Sequence, residues 1–351
     1  MIAASPRVSI TSGMRLPELD ALRGLLVVYV MLVHYTHRYD ELFGHTMPVP
    51  LVEGGFLRVQ GLFAISGFII SMTLGRTRSA ADFVYARASR LYPAYWIAVA
   101  LTFLVVAFAQ LPERTVSVGE AAINLSMLQE FVGAPHVDGA YWTLTIELLF
   151  YFWIALLYFS RARQFLVPVL GAWFVLALLL KFAGDVLQWA PAPYVAKAFI
   201  CPWIPFFGLG MLAHRAMQLG CWDRTGAAMM AAAVVTAGIC WGPASALMAF
   251  AIAVAFMLLL AGGLASLRQK PLIFLGTISY PLYLLHQNIG YVGIRWLEGQ
   301  GWHPLLAIAG TMAVAITLAS VIAFHIERPA LRWLRNVKPN FGAAQPTPSA
   351  R

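Results

Sequence analysis

Ten long apolar stretches constrain this chain more than anything else in it. They run at about residues 20–37, 55–75, 91–111, 142–160, 164–183, 197–214, 226–241, 246–265, 272–296 and 304–326. Each is near the ~20 residues a helix needs to cross ~30 Å of hydrocarbon. The apolar residues come in runs and do not alternate, which argues against barrel strands. Composition leads to the same place. Only 11% of the 351 residues are charged and 60% are hydrophobic, too few charges to cover a water-facing surface. A soluble globular enzyme, a disordered chain and a secreted disulfide scaffold are all excluded. The predicted fold class is an all-α polytopic membrane protein with about ten transmembrane helices.

The charge is +9, from 24 Lys and Arg against 15 Asp and Glu. No basic run is long enough for a nucleic-acid patch, so no nucleic-acid partner is expected. Threading the chain through ten spans puts 18 of the 24 basic residues on the side of the N-terminus. Because cytoplasmic loops are enriched in Lys and Arg, both termini are expected in the cytoplasm and the protein in the cytoplasmic (inner) membrane. Residues 1–19 lack an apolar core and read as a cytoplasmic N-terminal segment. The first apolar stretch has no small-residue cleavage site and reads as an uncleaved span. Residues 20–335 form one transmembrane domain, and 336–351, rich in Pro and small residues, a disordered cytoplasmic tail. Two outer loops, 38–54 and 112–141, are long enough to receive a polar acceptor, and simple solvated connections are an equal reading. Cys201, Cys221 and Cys240 form neither a disulfide framework nor a metal-ligand spacing. No metal or permanently bound cofactor is expected.

Ionisable residues inside spans are costly and point to function. His34, Glu147 and His286 are the main ones, with Gln60 a polar companion. At about 1.5 Å per residue, His34 and His286 each lie roughly 21 Å from the cytoplasmic face. Glu147 lies roughly 7 Å below the outer face. In a ~30 Å core all three, and Gln60, fall near one level. Each taken singly also reads as a hydrogen-bonded core residue; the shared depth favours function for His34 and Glu147. At the inner mouth, in a loop taken to cover 76–90, Arg87 and Arg90 stand three apart. Such a pair can clamp phosphates, and it also fits ordinary positive-inside topology. Asp20 and Arg23 have the same spacing and read as a pair. There is no P-loop, GxSxG or GxGxxG motif.

Read together, these segments resemble the acyltransferase 3 family of integral membrane O-acyltransferases, across about residues 15–335. Arg23 and His34 match its Arg, ten residues, His pattern, and Gly61–Ile70 its second-helix Ser-Gly-Phe signature. Phe83, Arg87, Arg90, Leu91, Pro93 and Trp96 match the basic motif entering the third helix. Trp142-Thr143-Leu144-Thr145-Ile146-Glu147 with Phe150-Tyr151, Ser279–His286 and Glu327-Arg328-Pro329 match three later elements. The resemblance implies transfer of an acyl group, usually acetyl, from cytoplasmic acyl-CoA to a hydroxyl on a cell-surface glycan or lipid-linked saccharide, by a stand-alone member without a fused periplasmic domain. Membrane lipid is the surrounding partner.

The residues agree with that chemistry. A neutral imidazole at His34 suits a general base near pH 7, and Glu147 can orient it and stabilise the imidazolium. Arg87, Arg90 and Arg23 are the candidates for acyl-CoA. His286, Gln60, Trp142 and Tyr283 are the candidates for substrate contact. The alternative function is a proton-coupled secondary transporter of a polar solute, which buried His and Glu also suit. Its repeated halves and matching helix breaks are not evident.

Overall fold

A computed structural model describes residues 16–52, 54, 59–160 and 164–339. The N-terminal segment expected at 1–19 therefore lies outside the described residues up to 15, and the tail expected at 336–351 from 340 onward. The described chain is helical. In order the helices are α1 Pro17–Val33, α2 Tyr39–Phe43, α3 Gln60–Leu74, α4 Ala80–Ala109, α5 Val118–Asn124, α6 Trp142–Phe159, α7 Leu166–Asp185 and α8 Ala192–Ala198. Then come α9 Ile204–Leu219, α10 Arg224–Trp241, α11 Pro243–Leu260, α12 Lys270–Leu285, α13 Gln287–Gly299, α14 Pro304–Ile322 and α15 Arg328–Asn336. Short π-helical segments, His34–Arg38 and Ala323–Glu327, join α1 to α2 and α14 to α15.

Every expected span coincides with a helix, but their lengths differ from the expected ones. Seven helical stretches among the described residues are long and apolar enough to cross a membrane. The other three expected spans correspond to shorter helices: α3 with 15 residues, α9 with 16, and α12 with 16. The span expected at 272–296 is broken at His286 between α12 and α13. The basic segment taken for a loop at 76–90 is mostly helix. Ser79 accepts from the N–H of Asp82 at 3.1 Å and caps α4, which runs 30 residues from Ala80. A Ser cap three residues before an Asp is a start signal that satisfies an orphan N–H.

The described chain divides into two compact units, each drawn from several stretches of the sequence. The first comprises residues up to 26, 56–72 and 167–277. Its core packs Leu19, Ala64, Phe68, Ala213, Phe256 and Leu259. Here α3 and α9 approach so closely that glycine is required. A Cβ at Gly210 would stand 1.9 Å from the carbonyl oxygen of Ala64, and one at Gly67 2.1 Å from that of Phe207. Small residues at such crossings let backbones meet, as in other membrane bundles.

The second unit comprises 27–55, 73–166 and 278 onward. Its centre is aromatic: Tyr35, Tyr95, Tyr141, Tyr291 and Phe150 are fully buried. The segment 112–141 belongs here and contains the short helix α5. Asn124 ties it together, donating to the carbonyls of Glu120 and Pro135 and accepting from the N–H of Val137 at 3.0 Å.

Candidate active site

Seven of the nine residues nominated from sequence lie in the second unit; Arg23 and Gln60 lie in the first. The first span does not end as an ordinary helix. At His34 it widens into a π-helix, a rare form concentrated at functional positions. Thr36 anchors this turn, donating to the Leu32 carbonyl at 2.8 Å and accepting from the N–H of Val52 at 3.0 Å.

His286 occupies the junction between α12 and α13, where its own N–H still donates to the Leu282 carbonyl at 3.1 Å. The carbonyl of Tyr283 meets His286 Nδ1 at 2.7 Å. His286 Nε2 lies 2.8 Å from His34 Nδ1. The ring planes are 8° apart and the centroids 4.9 Å apart. A nitrogen–nitrogen distance of 2.8 Å is shorter than the ~3.5 Å of van der Waals contact between faces. The rings therefore meet edge to edge in nearly one plane, as an N–H···N hydrogen bond requires. His286 is fully buried. Two spans more than 250 residues apart in the chain are thus joined at their two histidines.

The remaining candidates take individual places. Glu147 accepts from the Tyr151 hydroxyl at 2.5 Å, one turn further along α6. The Tyr283 hydroxyl shares a hydrogen bond with Thr143 Oγ1 at 2.9 Å, and its ring centroid is 5.4 Å from that of His286. Trp142 opens α6. Arg90 is bound within the protein: it pairs with Glu327, and its guanidinium lies 5.4 Å from the centre of the Tyr280 ring. Arg87 faces elsewhere, 6.0 Å from the Phe83 ring, at the edge of a cavity of about 550 Å³ between α4 and α6 walled by Leu91, Leu148, Tyr151 and Phe152. Arg87 Nε is buried without a hydrogen-bond partner. The two arginines assigned to one clamp therefore have different partners. In the first unit, Arg23 pairs with Asp20 at 3.2 Å and donates to the Gly276 carbonyl at 2.9 Å. Gln60 is buried there, its Oε1 without a partner. Among the described residues no group of three or more His, Cys, Asp or Glu is placed to hold a metal ion.

Sequence reasoning passed over Asp138. It is fully buried and accepts from the N–H groups of Ala140 and Asn288, both at 2.9 Å. Asn288 returns a bond to the Val137 carbonyl at 2.9 Å. This reciprocal clamp holds the segment 112–141 to the first turn of α13, two residues past His286. The available signal was an Asp at the N-cap of the turn leading into α6. Burial pushes the Asp138 carboxyl up to about 6 from 3.8, against the opposing pull of those two N–H donors. A raised acid favours the folded state most below pH 3.8, and that contribution fades as pH rises through about 6. The difference corresponds to roughly 3 kcal/mol. Comparing thermal unfolding of Asp138→Asn and native protein at pH 4 and pH 7 should show the variant gaining on the native protein by up to that amount at the higher pH. A pH-independent gap would contradict the burial account.

The comparisons with known proteins bear on this site. The family model described as an acyltransferase domain, that of acyltransferase 3, matches residues 16–324. The chain belongs to the acyltransferase 3 family. It is 25% identical to the acyltransferase MdmB of Streptomyces mycarofaciens, covering 95% of this chain and 96% of that protein. It is 28% identical to nodulation protein 10 of Rhizobium leguminosarum bv. viciae, over 89% and 92% of the two chains. No solved structure matches. This member of the family is an acyl-transferring enzyme, and its apolar helices make it a multi-pass membrane protein.

Proposed function

We propose that the protein transfers an acyl group, most simply acetyl, from cytoplasmic acyl-CoA to a hydroxyl of a cell-surface glycan or lipid-linked saccharide, with His34 as general base. The observation that carries this reading is the His34–His286 ring pair, His286 fully buried and His34 partly so. An imidazole held this way can take the acceptor hydroxyl proton as the oxygen attacks the thioester carbonyl. The carbon–sulfur bond then breaks, and the CoA thiolate takes the proton back from the imidazolium. Base catalysis of this kind is worth about 10²–10⁴-fold. Glu147, which accepts from the Tyr151 hydroxyl, is a second proposed catalytic residue of the same unit. Trp142, which opens α6, is an acceptor contact in this reading. The basic inner mouth faces the cytoplasm of an inner membrane, with both termini on that side and the three shorter helices completing ten crossings.

Of the three arginines nominated for the donor, Arg90 and Arg23 have partners within the chain, while Arg87 has an unsatisfied buried nitrogen. Arg87 is therefore the residue for a CoA phosphate. A charge-assisted bond is worth roughly 1.5–3 kcal/mol, so Arg87→Ala should raise KM for acetyl-CoA about ten-fold or more with little change in kcat. An unchanged KM would return Arg87 to a purely topological role.

The reading as a whole is tested with purified protein, labelled acetyl-CoA and a glycan fraction from the native cell envelope. Release of CoA matched by label in glycan supports it. CoA release without label in the glycan would overturn the proposed acceptor, and no CoA release would overturn acetyl-CoA as the donor.

A further inference from the structure

We infer that His286 is a positioning residue that fixes the proton of His34 on Nδ1 and so leaves the basic lone pair on Nε2. The inference rests on the proposed role of His34 as base, and it assigns His286 a role other than contact with substrate. It follows from which atoms can donate. A carbonyl oxygen only accepts, so the 2.7 Å bond to Tyr283 requires the proton of His286 to be on Nδ1. A neutral imidazole carries one N–H, so His286 Nε2 is an acceptor. The 2.8 Å bond between the rings then requires His34 Nδ1 to donate. The remaining nitrogen of His34, Nε2, carries the lone pair that takes a proton.

The order of elements explains why the arrangement holds. The carbonyl that starts the chain of bonds belongs to Tyr283, in the last turn of α12. Just past the junction, Asp138 accepts from the N–H of Asn288, the second residue of α13. When His34 takes a proton at Nε2, the ring becomes a cation whose Nδ1–H already points at an acceptor. A hydrogen bond to the charged form favours that form, so the same contact orients the base and stabilises its conjugate acid. The carboxylate of serine-protease triads serves these two ends; here a second imidazole backed by a backbone carbonyl does so.

The test uses two replacements at position 286. In His286→Gln the amide can accept from His34 Nδ1 through oxygen and donate to the Tyr283 carbonyl through nitrogen, which preserves both bonds. His286→Met fills the space and preserves neither. With purified full-length protein, acetyl-CoA and the envelope glycan fraction, His286→Met should lose roughly a hundred-fold in kcat, with KM for acetyl-CoA within about two-fold of native. A base in the wrong tautomer has lost up to about 10⁴-fold in well-studied triads. His286→Gln should recover at least about ten-fold of that loss. Histidine-selective ¹⁵N labelling should show the His34 proton on Nδ1 in native and Gln proteins, and a shift towards Nε2 in the Met protein. Native kcat in His286→Met would overturn the inference, as would a Gln variant no better than Met while melting like the native protein. A loss confined to KM would make His286 a substrate contact and overturn it too. His34→Gln run alongside keeps the two claims separate: an active His34→Gln removes the base itself, whereas an inactive one beside a fully active His286→Met removes only the role of His286.

Discussion

His34→Gln is expected to insert, purify and melt like the native protein while losing acyl transfer by roughly 10²–10⁴-fold. The replacement keeps what the fold needs. A glutamine amide can still donate towards His286 Nε2, and it occupies similar volume at the π-helical turn. It removes what the chemistry needs, because an amide cannot take a proton near pH 7. Since the interaction lost is one made as the proton moves, kcat and kcat/KM should fall together with KM for acetyl-CoA nearly unchanged. Steady-state assays on detergent-purified protein, with the melting profile measured on the same sample, check both halves.

Gly210→Ala should be strongly destabilising in the first unit. The added methyl would stand 1.9 Å from the Ala64 carbonyl oxygen and 2.6 Å from the Phe68 nitrogen. Both are backbone atoms, so no side-chain rotation relieves the overlap and α9 must move away from α3. Overpacking of this kind typically costs about 1–3 kcal/mol, occasionally more. The close approach of Gly67 to the Phe207 backbone would be lost with it. Gly171→Ala on α7 is the matched control. Its nearest neighbour is the flexible Met229 methyl at 3.6 Å, and alanine is worth up to about 1 kcal/mol over glycine in a helix interior. Thermal unfolding should place Gly210→Ala well below the native protein and Gly171→Ala level with it or above. A Gly210→Ala protein that melts with the native one would contradict the packing described at this crossing.

The helical character was legible in the sequence because hydrocarbon demands long apolar runs, and seven of those runs became helices long and apolar enough to cross a membrane. Their ends were less legible. The capping role of Ser79 depends on one hydrogen bond to the Asp82 backbone, and a basic segment of the same composition reads equally well as a loop. The break at His286 had a signal, the polar run His286-Gln287-Asn288 inside an apolar stretch, but length alone favoured one continuous span. His34 and His286 were legible as ionisable residues inside apolar runs. Their pairing was not, because it depends on rotation about the helix axis and on the widened turn at residues 34–38. Spacing likewise placed Arg87 and Arg90 on neighbouring positions, yet Glu327, 237 residues away, takes Arg90. Asp138 was invisible as a clamp because its partner Asn288 is 150 residues distant. Local pattern carries capping and periodicity; contacts between distant helices are set by packing.

Single-turnover acyl transfer tests the central claim most directly, because it isolates the chemical step from product release. Native protein in excess over labelled acetyl-CoA, mixed with the envelope glycan fraction, should transfer label in one phase together with CoA release. Well-folded His34→Gln under the same conditions should do so at least about a hundred-fold more slowly. A His34→Gln rate within a few-fold of native would contradict the account and remove the imidazole pair from the chemistry.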